Sequence, residues 1–322
     1  MNDNMYTYAV ARIRSKELTL ISKSTIEQLM ACKTYNDCFQ LLVDRGWGKG
    51  DEKTAEQLLA SEREKTWELM EELVEDISVF NVFLYENDFH NLKASTKQVY
   101  TNTELPDVFI THGTISPDII YKAVKEHDFT LLPAYMQKCV DEAYDVLMHT
   151  GDSQLSDTII DKATLDTIYA KGKASKNELL ELYSELKVAS ANIKIALRSF
   201  KTGKSEEFME RAFSPCDTLD AKRLLSCALE GEEEILSYLL TTVYADAVSA
   251  IKQSPSAFER WCDDLIIKHI RPQKHNPFTL SPLAAFILAR ENEIKCVRIL
   301  ISGKLNDLPD SSIRERLREM YV

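Results

Sequence analysis

Asn91-Leu92-Lys93 stands in a long helical pattern, and the chain carries the same segment twice more, as Asn192-Ile193-Lys194 and Glu293-Ile294-Lys295. The steps are equal, since 192 − 91 and 293 − 192 are both 101. A single polar-apolar-Lys match means little on a helix. Equal spacing along the whole chain points instead to an internal triplication of a helical unit. Such a unit builds a ring, a cup or a solenoid, whose function lies in shape and in partners.

Outward from these segments, the first unit begins with a helix expected over residues 5–21, with Tyr8, Ala11, Ile13, Leu18 and Ile21 as its apolar positions. Ser22 to Thr25 break it and cap a second helix, Ile26 to about Ala31, and a third covers about Tyr35 to Val43. Gly46-Trp47-Gly48-Lys49-Gly50 is a loop. One long helix is expected from about Asp51 to Gln98, because Leu59, Trp67, Met70, Val74, Ile77 and Phe80 hold helical spacing.

The second unit opens at Ser116-Pro117 and the third at Ser214-Pro215, each with Ser as N-cap and Pro at the first helical position. In the second, helices run to about Met148, break over His149 to Asp152, and resume from about Asp157 to Phe200 with a weak point at Lys171 to Ser175. Leu179, Leu182, Leu186, Ala189, Ile193 and Leu197 form its stripe. In the third, helices reach Ile267, and prolines between Arg271 and Pro282 interrupt the pattern. A helix from about Leu283 follows, bent or ended by Gly303, and a helix over Ser311 to Met320 closes the chain. No segment alternates long enough to demand a sheet. The expected architecture is all-α: three similar helical domains, 1–110, 111–210 and 211–322, with approximate boundaries and chain ends that can pack across repeats.

Composition agrees. With 44% apolar residues, 322 residues can bury a large core, and nine glycines and nine prolines suit long helices. Cys32, Cys38, Cys139, Cys216, Cys227, Cys262 and Cys296 are scattered and make no Cys-x-x-Cys pair, which fits free thiols in a reducing cytoplasm. Met1 to Ala11 lacks the charged region and apolar run of a signal peptide, and no apolar stretch of about 18 residues is present. A net charge of −12 argues against generic nucleic-acid binding and against a direct lipid anchor.

Sites of chemistry are scarce. Lys201-Thr202-Gly203-Lys204-Ser205 contains Gly-Lys-Ser, but a phosphate loop needs a glycine where Arg198 stands, and no strand precedes it. It reads as a helix C-terminus with glycine in the cap. His90, His112, His127, His149, His269 and His275 show no zinc spacing. Asp88 and His90, two apart on a helix, point in different directions, so a hydrolase reading needs a third group from elsewhere. The acidic runs Glu71-Glu72, Glu75-Asp76 and Glu232-Glu233-Glu234 are solvated faces, and the basic run Lys268 to His275 suits an acidic partner. No catalytic residue, cofactor or metal is expected.

Several stretches together resemble one family. Tyr6 to Arg14 resembles the opening of the C subunit of bacterial and archaeal V/A-type rotary ATPases, a relative of the d subunit of eukaryotic vacuolar ATPases. Tyr85 to Ala94 is similar to that family's most recognisable motif. Ala191 to Arg198 resembles its second copy, and Glu293 to Leu300, Gly303-Lys304-Leu305 and Arg314 to Arg318 resemble the third copy and the tail. The family's D-x-x-N element is intact only as Asp88 to Asn91; the second copy has Ala189, the third Arg290 and Glu293.

The resemblance implies a helical funnel of three domains about a pseudo-threefold axis. It implies a non-catalytic coupler whose partners are the central shaft subunits and the membrane proteolipid ring, held on the cytoplasmic face by protein contacts. Lys93, Lys194, Lys295, Arg198 and Arg298 are the candidate partner contacts. The alternative is a helical-repeat scaffold that binds a protein partner in a concave surface.

Overall fold

Helix starts in this chain are set by polar side chains that accept the orphan N–H groups of the first turn. In the computed structural model, which describes residues 6–103, 105 and 107–322, Ser22, Thr54, Asn177, Ser205, Asp220 and Ser254 all do so. Thr34 and Asp37 form a reciprocal capping box. In chain order the helices are α1 (Thr7–Glu17), α2 (Lys23–Ala31), α3 (Tyr35–Asp44), α4 (Ala55–Leu73), α5 (Tyr85–Thr101), α6 (Pro117–Glu126), α7 (Ala134–Thr150) and α8 (Ser153–Ala174). They continue as α9 (Glu178–Lys201), α10 (Glu206–Ala212), α11 (Ala221–Glu230), α12 (Glu232–Leu240), α13 (Ala247–Gln253), α14 (Pro255–Ile270), α15 (Ser281–Leu305) and α16 (Asp310–Arg316). No strand occurs among the described residues, and the all-α expectation holds. Met1 to Met5, which open the N-terminal reading and of which Met5 begins the expected first helix, lie outside the described residues.

Several expectations need correction. The single helix over Asp51 to Gln98 is two helices, α4 and α5, joined by extended Val74 (φ −130°, ψ 127°) and the 3₁₀ segment Ile77–Phe83. Neither Gly nor Pro marks this break; the apolar stripe stays in phase because Val74 and Phe80 are buried from non-helical backbone. Ser214-Pro215 starts no helix: Ser214 is buried, and the helix begins at α11 behind an Asp220 cap. Ser116-Pro117 does open α6, although the Ser116 side chain makes no capping bond. The closing helix α16 is shorter than Ser311 to Met320, and Leu317 leaves it in extended conformation. The break near Lys171 to Ser175 falls at Ser175 to Asn177, where Lys176 has φ +53°. At the end of α9, Gly203 (φ +61°) lets Lys204 N–H reach the Ser199 carbonyl (2.9 Å) and Gly203 N–H the Phe200 carbonyl (3.1 Å). That is a glycine C-cap, not a phosphate loop.

The chain divides into two compact units, Met1–Ile77 with Asp246–Val322, and Ser78–Ala245. Both terminal segments thus belong to the first unit. Its centre is α15, which contacts α1, α3, α4, α14 and α16. Leu283 to Ile287 are apolar around the whole helix and are all buried. Ile294, Val297, Leu300 and Ile301 of α15 meet Leu29, Leu42, Leu58 and Leu59 in one core. In the second unit α8 packs against α5, α7 and α9. Gly172 makes the α8–α9 crossing close, since a Cβ there would run into the Ser184 side chain.

A charged cluster lies inside the first unit. Arg290 of α15, 7% exposed, donates to Glu62 of α4 and to Glu293 one turn on. The Trp47 ring faces its guanidinium at 5.3 Å. Glu62 also takes the Gly48 N–H (2.8 Å) and the Lys65 ammonium (2.6 Å), and Glu293 takes the Ile21 N–H. Burial pushes the Glu293 carboxyl up to about 7, against the pull of Arg290. A buried carboxylate pair that loses its cation is costly. Arg290→Met is expected to lower unfolding free energy by about 3–5 kcal/mol near neutral pH, measured by urea denaturation. The Glu293 carboxyl, already raised by burial, loses the cation that lowers it, so folding takes up protons there and the deficit must shrink as pH falls.

Candidate functional site

The repeated segment does three different things in three successive residues. Its first residue is buried and polar, and it holds a loop. Asn91 on α5 accepts from Ile110 N–H (2.8 Å) and donates to the Ile110 carbonyl (2.8 Å). Asn192 on α9 accepts from Ser214 N–H (3.1 Å) and donates to the Ser214 carbonyl (2.7 Å). Glu293 on α15, as a carboxylate, has no donor to offer: from the chain it holds it takes the N–H of Ile21, and its other oxygen takes the Arg290 guanidinium. The second residue, Leu92, Ile193 or Ile294, is core, at 1% exposure or less. The third is a lysine at or near the surface.

A second clamp stands beside the first. Asp88, fully buried, accepts from Thr114 N–H (2.8 Å), Thr114 O–H (2.5 Å) and Ile115 N–H (3.3 Å). Glu185 does the same from α9, taking Asp217 N–H (3.0 Å), Thr218 N–H (2.8 Å) and Thr218 O–H (2.5 Å). The Tyr135 hydroxyl lies 3.5 Å from Thr114 Oγ1, and the Tyr244 hydroxyl 2.6 Å from Thr218 Oγ1. Thr114 follows Ile110 by four residues, as Thr218 follows Ser214. The two clamps share this spacing and the threonine, while Asp88 adds the amide after the threonine and Glu185 the amide before it. The sequence reading missed Glu185, because its acid stands seven residues before Asn192 and not three. Two helical turns put it on the same face.

Burial pushes the Asp88 carboxyl up, against hydrogen bonds from Thr114 and Ile115 that favour its charged form. Tyr135 is likewise pushed up to about 12 by burial. Asp88 and His90 are not brought together: His90 is exposed, with Nε2 3.0 Å from the Val108 carbonyl. The Gly113 backbone passes so near Asp88 that a Cβ would meet its Oδ1.

Of the candidate contacts, Lys93 pairs with Asp161 (2.6 Å), Lys295 with Asp263 (2.6 Å) and Arg298 with Glu56 (3.0 Å). Lys194 and Arg198 lie exposed on α9, and Arg198 shares a shallow cleft with Asp157 and Asp161. No cluster of three or more His, Cys, Asp or Glu among the described residues is placed to hold a metal. No helix among them is long and apolar enough to cross a membrane.

Fold and site thus define an all-helical protein whose buried polar groups serve its own loops. The chain belongs to the ATP synthase (C/AC39) subunit family, whose profile matches residues 9–316. It is 26% identical to the C subunit of the V-type sodium ATPase of Enterococcus hirae, over 96% of this chain and 97% of that protein. It is 23% identical to the C subunit of the A-type ATP synthase of Thermococcus kodakarensis (98% and 91% covered). To the C subunit of the V-type ATP synthase of Thermus thermophilus it is 21% identical (97% and 98%). The resemblance read from the sequence holds, and the chain is a non-catalytic subunit of a V/A-type ATPase.

Two substitutions separate clamping from mere burial. Asp88→Ala leaves the Thr114 and Ile115 N–H groups without their acceptor and is expected to cost about 2–4 kcal/mol. Asp88→Asn keeps Oδ1 for both and offers an N–H to Thr114 Oγ1, so its cost is expected to be about 1 kcal/mol or less. The wild-type carboxyl is raised in the folded state, so its contribution is lost as pH rises through the folded value. Asp88→Asn must therefore gain on wild type as pH rises from the acid side of the ordinary carboxylate range to neutrality, measured by urea denaturation.

Proposed function

We propose that the chain is the coupling subunit of the rotary ATPase central stalk, receiving the shaft on one side and the membrane proteolipid ring on the other. It carries torque between them from the cytoplasmic face, through protein contacts alone. What carries the reading is the family match over residues 9–316, which takes in all three helices that bear the repeated segment. A coupler must hold its form under load. Buried clamps that tie loops to the long helices α5, α9 and α15 suit that demand, because each loop is fixed by several hydrogen bonds from one side chain. The same clamps support three similar units, near 1–110, 111–210 and 211–322, with the third returning to the N-terminal segment at Ile21.

Lys93, Lys194 and Lys295, with Arg198 and Arg298, are the residues assigned to the shaft. Charges of this kind set association rate and salt dependence more than fold stability. Lys93→Glu, Lys194→Glu and Lys295→Glu together remove two partly exposed ion pairs, each worth about 1 kcal/mol or less. The triple variant is expected to keep its helicity and to bind the central-shaft subcomplex more weakly, with a shallower salt dependence. Equal affinities and equal salt slopes would place the lysines outside the contact. Failure of the wild-type chain to co-purify with shaft and ring subunits would overturn the coupling role itself.

A further inference from the structure

Seven cysteines are free thiols, and two of them are neighbours: Cys32 at the end of α2 and Cys38 in the second turn of α3. Both donate to the last turn of α2, Cys32 to the Gln28 carbonyl (3.5 Å) and Cys38 to the Leu29 carbonyl (3.4 Å). These acceptors are adjacent residues of one helical turn, so the two thiols converge on the same end of α2. Their exposure differs. Cys32 is half-buried and reachable from solvent; Cys38 is fully buried against Leu29, Leu42 and Leu300. An accessible thiol beside a buried one is the arrangement in which the first is oxidised and the second resolves it. The other buried thiols, Cys139, Cys262 and Cys296, stand on α7, α14 and α15, far in sequence from any other cysteine.

We propose that Cys32 and Cys38 are a redox modification site, which a peroxide converts to an intramolecular disulfide joining α2 to α3. The Cys32 sulfur attacks a peroxide oxygen, the O–O bond breaks, and Cys32 becomes a sulfenic acid as water leaves. The Cys38 sulfur then attacks the Cys32 sulfur; the S–S bond forms, the S–O bond breaks, and the departing hydroxide takes the Cys38 proton to give a second water. Two thiols lose two electrons, and one peroxide is reduced to two waters. Burial pushes the Cys38 thiol up to about 12, so the second step is the slow one. The bond locks the corner at Lys33 and Thr34, while the α3 capping box that begins at Thr34 keeps its place.

The sequence between the two cysteines makes the test direct, because trypsin cuts at Lys33. The full chain is treated with graded hydrogen peroxide, alkylated under denaturing conditions and digested. The expected product is the peptide 24–33 linked to the peptide 34–45, appearing before Cys216 or Cys227 is modified and reversed by dithiothreitol. On a non-reducing gel the protein stays monomeric. Cys32→Ser must abolish the link. Cys38→Ala must leave a sulfenic acid at Cys32 that dimedone traps. The proposal fails if Cys32 runs on to sulfinic acid while Cys38 remains alkylatable, if the two peptides stay unlinked while other cysteines oxidise, or if the link joins two chains.

Discussion

A backbone N–H in a partly buried loop must find an acceptor, or the loop costs more than it contributes. In this protein that acceptor is a carboxylate or carboxamide standing on a neighbouring long helix. Asp88 and Asn91 hold residues 110 to 115, Glu185 and Asn192 hold residues 214 to 218, and Glu293 holds Ile21. Each clamp lets irregular chain lie against a helix with its amides satisfied by a side chain. The helices can then be long and apolar between clamps, and the loops can cross them tightly, as Gly113 does over Asp88.

The third clamp differs because its chemistry has been exchanged. Where Asn gives a donor and an acceptor, Glu293 gives only acceptors, and Arg290 supplies the cation that a buried carboxylate requires. Asn292, one residue earlier, donates to the Glu319 carbonyl (2.9 Å) and so ties down the extended tail. Arg271 and Lys274 do the same to the Met320 and Tyr321 carbonyls. The first unit therefore closes over both terminal segments, with α15 as the element to which each is bound.

Much of this is legible in the sequence. The repeated segment marks the clamps, because its polar first residue is the clamp itself and its apolar second residue is core. The Ala189 and Arg290 departures from the D-x-x-N pattern hide the rest: the pattern points to position i−3, and in the second copy the acid stands at i−7, as Glu185. The loops that the clamps hold leave no mark, since what is recognised there is backbone and any residue supplies it. Ser214 reads as a cap because it precedes proline, and its carbonyl and N–H are instead the objects held. The break between α4 and α5 carries no breaker residue; it falls where the chain passes from one compact unit to the other.

If clamping is the constraint on which this fold depends, loop amides should behave like helix amides. Native-state hydrogen exchange of the N–H groups of Ile21, Ile110, Thr114, Ser214 and Thr218 measures this without any substitution. The account predicts protection close to that of α5, α9 and α15, although all five residues lie outside helices. Exchange at the rate of an unstructured peptide would contradict it.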